Sequence, residues 1–106
     1  MRAMRIISVR TLREFMTANP DSAQPLRAWI DEAQKTNWLN PADIKDQYRS
    51  ASILKGSCVV FNIKGNDYRL VAAIAYPQKL ICIKFIGSHW EYDVIDANTV
   101  DRKSVL

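Results

Sequence analysis

The sequence predicts an α+β domain, with N-terminal helices packed on one face of a mainly antiparallel β-sheet. Two observations carry that prediction. Before residue 48, apolar residues recur at helical spacing and are punctuated by capping residues and prolines. After it, short runs rich in β-branched and aromatic residues alternate with turn signals, the pattern of consecutive hairpin strands. Helices early and hairpins late is the order of a fold whose helices are segregated to one side of a sheet.

Each element has its own local reason. Residues 5–9 are short and β-branched and read as a first strand. Thr11 can cap a helix running to Ala18, with Leu12, Phe15 and Met16 on one side, and Asn19-Pro20 ends it. Asp21 or Ser22 can cap a second helix, in which Pro25 is tolerated because it falls in the first turn. Leu26, Trp29, Ile30 and Ala33 give that helix its apolar stripe. Asn40 as N-cap and Pro41 at the first helical position open a third helix through Gln47. Four strands are expected at residues 52–54, 58–64, 67–75 and 80–86. Turns fall at Gly65-Asn66 and Tyr76-Pro77-Gln78-Lys79.

A length of 106 residues suits one domain, 1–106, in which residues 98–106 carry no readable pattern and are expected to fray. The 48% apolar content is enough for one core and too high for a disordered segment. No apolar run approaches the ~18 residues that a membrane span needs. The first ten residues hold three arginines but no apolar stretch of a signal peptide, and Met4 is an alternative start that would make residues 1–3 dispensable. A cytoplasmic protein with no membrane partner is expected. Cys58 and Cys82 have no neighbouring ligand pair, so buried free thiols are expected rather than a zinc site, and no metal or other cofactor.

Charge is unevenly spread. Between Lys45 and Lys84 lie seven basic residues, Arg49 and Lys84 among them, and two acidic ones, an excess above the +4 of the whole chain. Such a basic face attracts polyanions. The hairpin sorts these groups further. A two-residue loop at Gly65-Asn66 would pair Lys64 with Asp67, Asn62 with Arg69 and Val60 with Val71. Val59, Phe61, Ile63, Tyr68, Leu70 and Ala72 then share one face, and Asn62, Lys64 and Arg69 the other. The Arg69 fork suits phosphate oxygens; the alternative is an ion pair with Asp67 or Glu91. Lys64 is either a second phosphate contact or plain solvated charge.

His89 is the only histidine, just after the last apolar strand and three residues before Tyr92. Imidazole can move a proton in either direction near neutral pH, and a phenol can donate to a leaving oxygen. A lone histidine can equally be structural. RNA cleavage needs a group to activate the 2′-hydroxyl, cations for the phosphate and an acid for the leaving 5′-oxygen. It does not require a metal, and the clustered carboxylates of metal-dependent nucleases are missing from this half of the chain. Trp90, beside His89, either stacks on a base or covers the sheet's edge.

These stretches, in this order, resemble the HigB-type toxins of bacterial toxin–antitoxin pairs, a branch of the RelE-like ribonucleases. The resemblance is carried by Arg5-Ile6-Ile7, Trp29, residues 41–45 (PADIK) and residues 48–52 (YRSAS). It continues through residues 60–66 (VFNIKGN), Tyr68-Arg69-Leu70, Gly87-Ser88-His89 and Glu91-Tyr92-Asp93. It implies a compact antiparallel sheet with N-terminal helices and an endoribonuclease that cuts mRNA on the ribosome to arrest translation. It also implies a helix-turn-helix antitoxin of the HigA type, through which the pair contacts operator DNA. On the same basis Arg69 would stabilise the phosphate and Lys64 assist. His89 and Tyr92 would handle protons or position substrate, with Asn62 and Tyr48 as further RNA contacts. Two competing functions share the basic face: a non-catalytic module that binds RNA or the ribosome, and a scaffold whose polar hairpin meets a protein.

Overall fold

The computed structural model describes residues 3–95. Its five strands form one mixed sheet in the order β1-β5-β4-β3-β2. The strands are β1 (Arg5–Ile7), β2 (Ser52–Ile53), β3 (Cys58–Ile63), β4 (Tyr68–Ala75) and β5 (Leu80–Ser88). The helices are α1 (Val9–Ala18), α2 (Ala23–Lys35), α3 (Pro41–Gln47) and α4 (His89–Asp93). The α+β class holds, with one addition to the expected sheet: β1 pairs with β5 in parallel, while the other pairings are antiparallel. An edge strand so far from its partner in sequence leaves no local signal.

The helix boundaries show where local chemistry decides. Asn40 caps α3 as expected, its side chain accepting from the Asp43 N–H. Helix α1 instead starts before Thr11, after Ser8 in a left-handed conformation (φ 73°) that turns the chain sharply out of β1. The tertiary need to fold α1 back over the sheet outweighs the side-chain cap. Asn19-Pro20 ends α1 and opens a single 3₁₀ turn, Pro20–Ser22. The Ser22 hydroxyl donates to the Asn19 carbonyl instead of capping α2.

The core lies between α1, α2 and α3 and one face of the sheet. Leu12, Met16, Leu26, Trp29, Ala33 and Ile44 meet Phe61, Leu70, Ala72, Ile81 and Ile83 there, all buried. Trp29 meets Phe61 edge-on (5.2 Å between ring centres), and Trp38 stacks on the same ring (6.0 Å). Full burial of an aromatic ring stabilises the fold by roughly 2–3 kcal/mol. The Trp29 stripe is therefore core, with Ile30 half-buried at its margin.

The β3–β4 hairpin keeps the expected register, with Asn62 opposite Arg69 and Val60 opposite Val71. Its turn differs in detail. The left-handed residues are Lys64 (φ 54°) and Gly65 (φ 64°), and the Asp67 N–H closes the turn on the Lys64 carbonyl. Gly65 adopts this conformation without penalty; Lys64 does not. The second turn closes from the Lys79 N–H to the Tyr76 carbonyl. Neither cysteine is in a disulfide, and both are half-buried rather than buried. The register explains this: Cys58 and Cys82 flank Ala73 on the face of the sheet turned away from the large core.

Candidate active site

That outer face is covered only in part, by the short helix α4. Val60 and Val71 form a small second cluster with Leu54, Phe85, Tyr92 and Ile95. Tyr92 thus seats α4 across β3, β4 and β5. The helix begins where Ser88 accepts from the Glu91 N–H and the Glu91 carboxylate accepts from the Ser88 N–H (2.7 Å), a reciprocal capping box. This helix was missed in the sequence reading, although Ser88-x-x-Glu91 is a capping-box spacing. Gly87 makes the close crossing possible. A methyl group there would lie 2.7 Å from both Glu91 Oε1 and a Phe85 ring carbon.

Arg69 is half-buried on this outer face, opposite Asn62 on one side and Gly87 on the other. Its Nη1 donates to the carbonyls of Asn66 (3.0 Å) and Tyr68 (3.3 Å). Among the described residues the guanidinium meets no carboxylate within ion-pair distance, so neither Asp67 nor Glu91 neutralises it. The carbonyls steer the fork without neutralising its charge. His89 reaches the same place through its backbone, its N–H donating to the Asp67 carbonyl (3.0 Å). Its Nδ1 is 4.0 Å from the Asp93 carboxylate, the outer limit of an ion pair, and its ring packs on Trp90 with centres 4.7 Å apart. Trp90 is 72% exposed. It does not cover the sheet.

The hairpin tip is therefore the hub of the site. The carbonyls of Asn66 and Asp67 hold Arg69 and the first residue of α4 respectively. Lys84 lies further along β5, half-buried, where the β4–β5 register slips at Val71/Ala72. Such a bulge re-aims side chains locally.

Other expected site residues are directed differently. Left-handed Lys64 leaves the alternation of β3 and sends its ammonium to Asp67 (2.9 Å) and to Asp21 at the start of the helical layer (3.4 Å). The expected sharing of one face by Lys64, Asn62 and Arg69 thus fails at Lys64, because a positive φ redirects its side chain. The hydrogen bond and charge of Asp67, then those of Asp21, raise the Lys64 pKa. Asp21 also accepts from the Tyr68 hydroxyl (2.6 Å), and this bond is the main reason its own pKa is lowered. Tyr48 lies on the helical side, edge-on to Phe61, with its hydroxyl donating to Glu32 (2.6 Å). Burial first, then the Glu32 contact, push its pKa well above the ordinary 10. Arg49 is exposed in the bend after α3, and its carbonyl accepts from Lys45.

Among the described residues, no three histidine, cysteine, aspartate or glutamate side chains cluster so as to hold a metal ion. Within the same range, no helix is long and apolar enough to cross a membrane. The expected frayed tail lies outside the described residues.

Comparison with known proteins bears on this arrangement. Over 92 residues the chain is 26% identical to the mRNA interferase HigB of Escherichia coli O6:H1, covering 85% of this chain and 89% of that protein. Residues 22–95, from the end of the 3₁₀ turn through α4, match the family model described as HigB toxin, RelE-like toxic component of a toxin–antitoxin system. The chain belongs to the HigB toxin family, the RelE-like toxic component of a toxin–antitoxin system.

Proposed function

We propose that this toxin is a cytoplasmic endoribonuclease that cleaves mRNA on the translating ribosome, with the hairpin tip and α4 as its active site. The observation that supports this reading is Arg69. It is a half-buried guanidinium oriented by two carbonyls, uncompensated by any carboxylate among the described residues, beside the residue that starts the His89 helix. A planar cation so placed can hold two phosphate oxygens and stabilise the charge that grows on them in the transition state. The RelE-like family and the interferase relative agree with the same chemistry.

In the reaction, the 2′-hydroxyl loses its proton as its oxygen attacks the adjacent phosphorus. The bond to the 5′-oxygen breaks, and that oxygen takes up a proton. The products are a 2′,3′-cyclic phosphate and a free 5′-hydroxyl. His89 and Tyr92 are the groups assigned to move these protons or to position the ribose and leaving oxygen. Asn62, opposite Arg69, and Lys84 contact the RNA backbone. Lys64, paired with Asp67 and Asp21 at the hairpin tip, is a secondary cation for the phosphate, and Tyr48 and Arg49 contact only more distant parts of a ribosome-bound message. A helix-turn-helix antitoxin of the HigA type neutralises the toxin and carries the pair to operator DNA.

The test is induction of the chain without its antitoxin, with growth measured and transcript 5′ ends mapped. The wild type should arrest growth and produce new 5′ ends within coding regions. Arg69→Ala and His89→Ala, at equal protein level, should do neither. Arrest with intact transcripts would replace cleavage by plain ribosome binding. Undiminished cleavage in both variants would move the site elsewhere.

A further inference from the structure

Trp90 is the feature of the site that the cleavage chemistry leaves unused. The chain has three tryptophans. Trp29 and Trp38 are core residues, 3% and 2% exposed, whereas Trp90 is 72% exposed. One side of its indole is taken by His89, tilted by 35° at 4.7 Å. Leaving so large an apolar ring in water has a cost, which recurs at sites where a ligand later covers the ring. Here the ring adjoins the histidine assigned to the scissile linkage. It is held by a helix that Tyr92 and the capping box pin to the sheet.

We infer that Trp90 is a stacking platform for one unpaired base next to the scissile phosphate, so that His89, Trp90 and the base form a three-layer stack. This inference rests on the proposed cleavage site and adds a recognition element to it. Every base offers a π-face, and stacking on an aromatic ring is available to a base that is not paired. The substrate class is therefore single-stranded RNA, with purines favoured for their larger rings. Charge argues for the same occupant. The stretch from Lys45 to Lys84 carries seven basic residues and two acidic ones, a balance that attracts an RNA backbone. The competing occupant is a protein segment, because Val94, just past the end of α4, is 83% exposed. A base needs the Trp90 ring alone, whereas a protein segment would use both residues.

The experiment follows intrinsic fluorescence of the purified toxin titrated with a short 2′-O-methylated oligoadenylate, which cannot be cleaved. An abasic strand of equal length is the control. Oligoadenylate should quench the exposed fraction of the emission, and the abasic strand should not. Trp90→Ala should abolish that quenching and weaken binding, followed by labelled strand, roughly 5- to 100-fold. Trp90→Phe should bind nearly as well as the wild type, and Val94→Ser should leave binding unchanged. Equal quenching by the abasic strand, or unchanged binding in Trp90→Ala, would overturn the inference. So would a loss in Val94→Ser as large as that in Trp90→Ala, which would point to an apolar docking strip. Because the probe cannot be cut, stacking and cleavage can fail separately. A toxin that stacks the base but leaves transcripts intact keeps this inference and loses the cleavage reading; one that cuts without stacking does the reverse.

Discussion

The two faces of the sheet use the same strands for opposite ends. On the helical face, three helices cover Phe61, Leu70, Ala72 and Ile81 completely, and the hydroxyls of Tyr48 and Tyr68 are tied off by Glu32 and Asp21. On the outer face a five-residue helix covers a patch around Val60 and Val71, and Arg69 is held there by the Asn66 and Tyr68 carbonyls, with no carboxylate partner among the described residues. Stability is concentrated on one side and the proposed cleavage site on the other. Alternation of side chains along β3 and β4 achieves this, since neighbouring residues point to opposite faces.

That contrast can be broken from either side. The largest loss of stability is expected for Phe61→Ala, which removes the ring that Trp29, Trp38 and Tyr48 all pack against. It should cost about 3–5 kcal/mol in urea unfolding. Arg69→Ala should do the converse, reducing cleavage roughly 10²- to 10³-fold while the urea midpoint hardly moves. A large drop in that midpoint would show the two faces to be less separate than the packing implies. Gly87→Ala should affect both, costing about 1–3 kcal/mol as the methyl meets Glu91 and Phe85. Its toxicity should fall further than its stability, because α4 must lift. Asn40→Ala removes the cap of α3 on the helical side and should cost about 1 kcal/mol with toxicity retained.

The smallest effect is a pH dependence. The pKa of Tyr48 is raised in the folded protein, so above pH 10 the unfolded chain loses this proton while the folded one keeps it. The stability linked to Tyr48 is thus present below pH 10 and lost as pH rises past it. Tyr48→Phe should make the alkaline decline shallower in urea melts on either side of that value. An unchanged decline would mean that Tyr48 does not sense its buried setting.

Much of the fold was legible because its signals are short-range. The Asn40-Pro41 start of α3, the Asn19-Pro20 stop and the β3–β4 register all follow from residues within a few positions of each other. So does the pairing of Asn62 with Arg69, the most useful piece of the site. Lys64 was misplaced because one backbone torsion overrides strand alternation, and alternation was the only guide to its direction. Helix α4 was overlooked although Ser88 and Glu91 announce it, since five residues make too weak a periodic pattern to compete with the preceding strand.

By itself the sequence determined the α+β class, the order of elements, the apolar stripe of α2 and the polar character of the hairpin's outer side. These depend on torsional preference and on the alternation of greasy and polar residues, which act locally. Tertiary structure alone decided that β1 joins β5 in parallel, that Asp21 draws Lys64 to the helical side and that the first residue of α4, His89, bonds to the hairpin tip at Asp67. Each of these joins residues far apart in the chain, or sets a side chain's direction through such a contact. Close packing selects among such arrangements only when the whole core is in place.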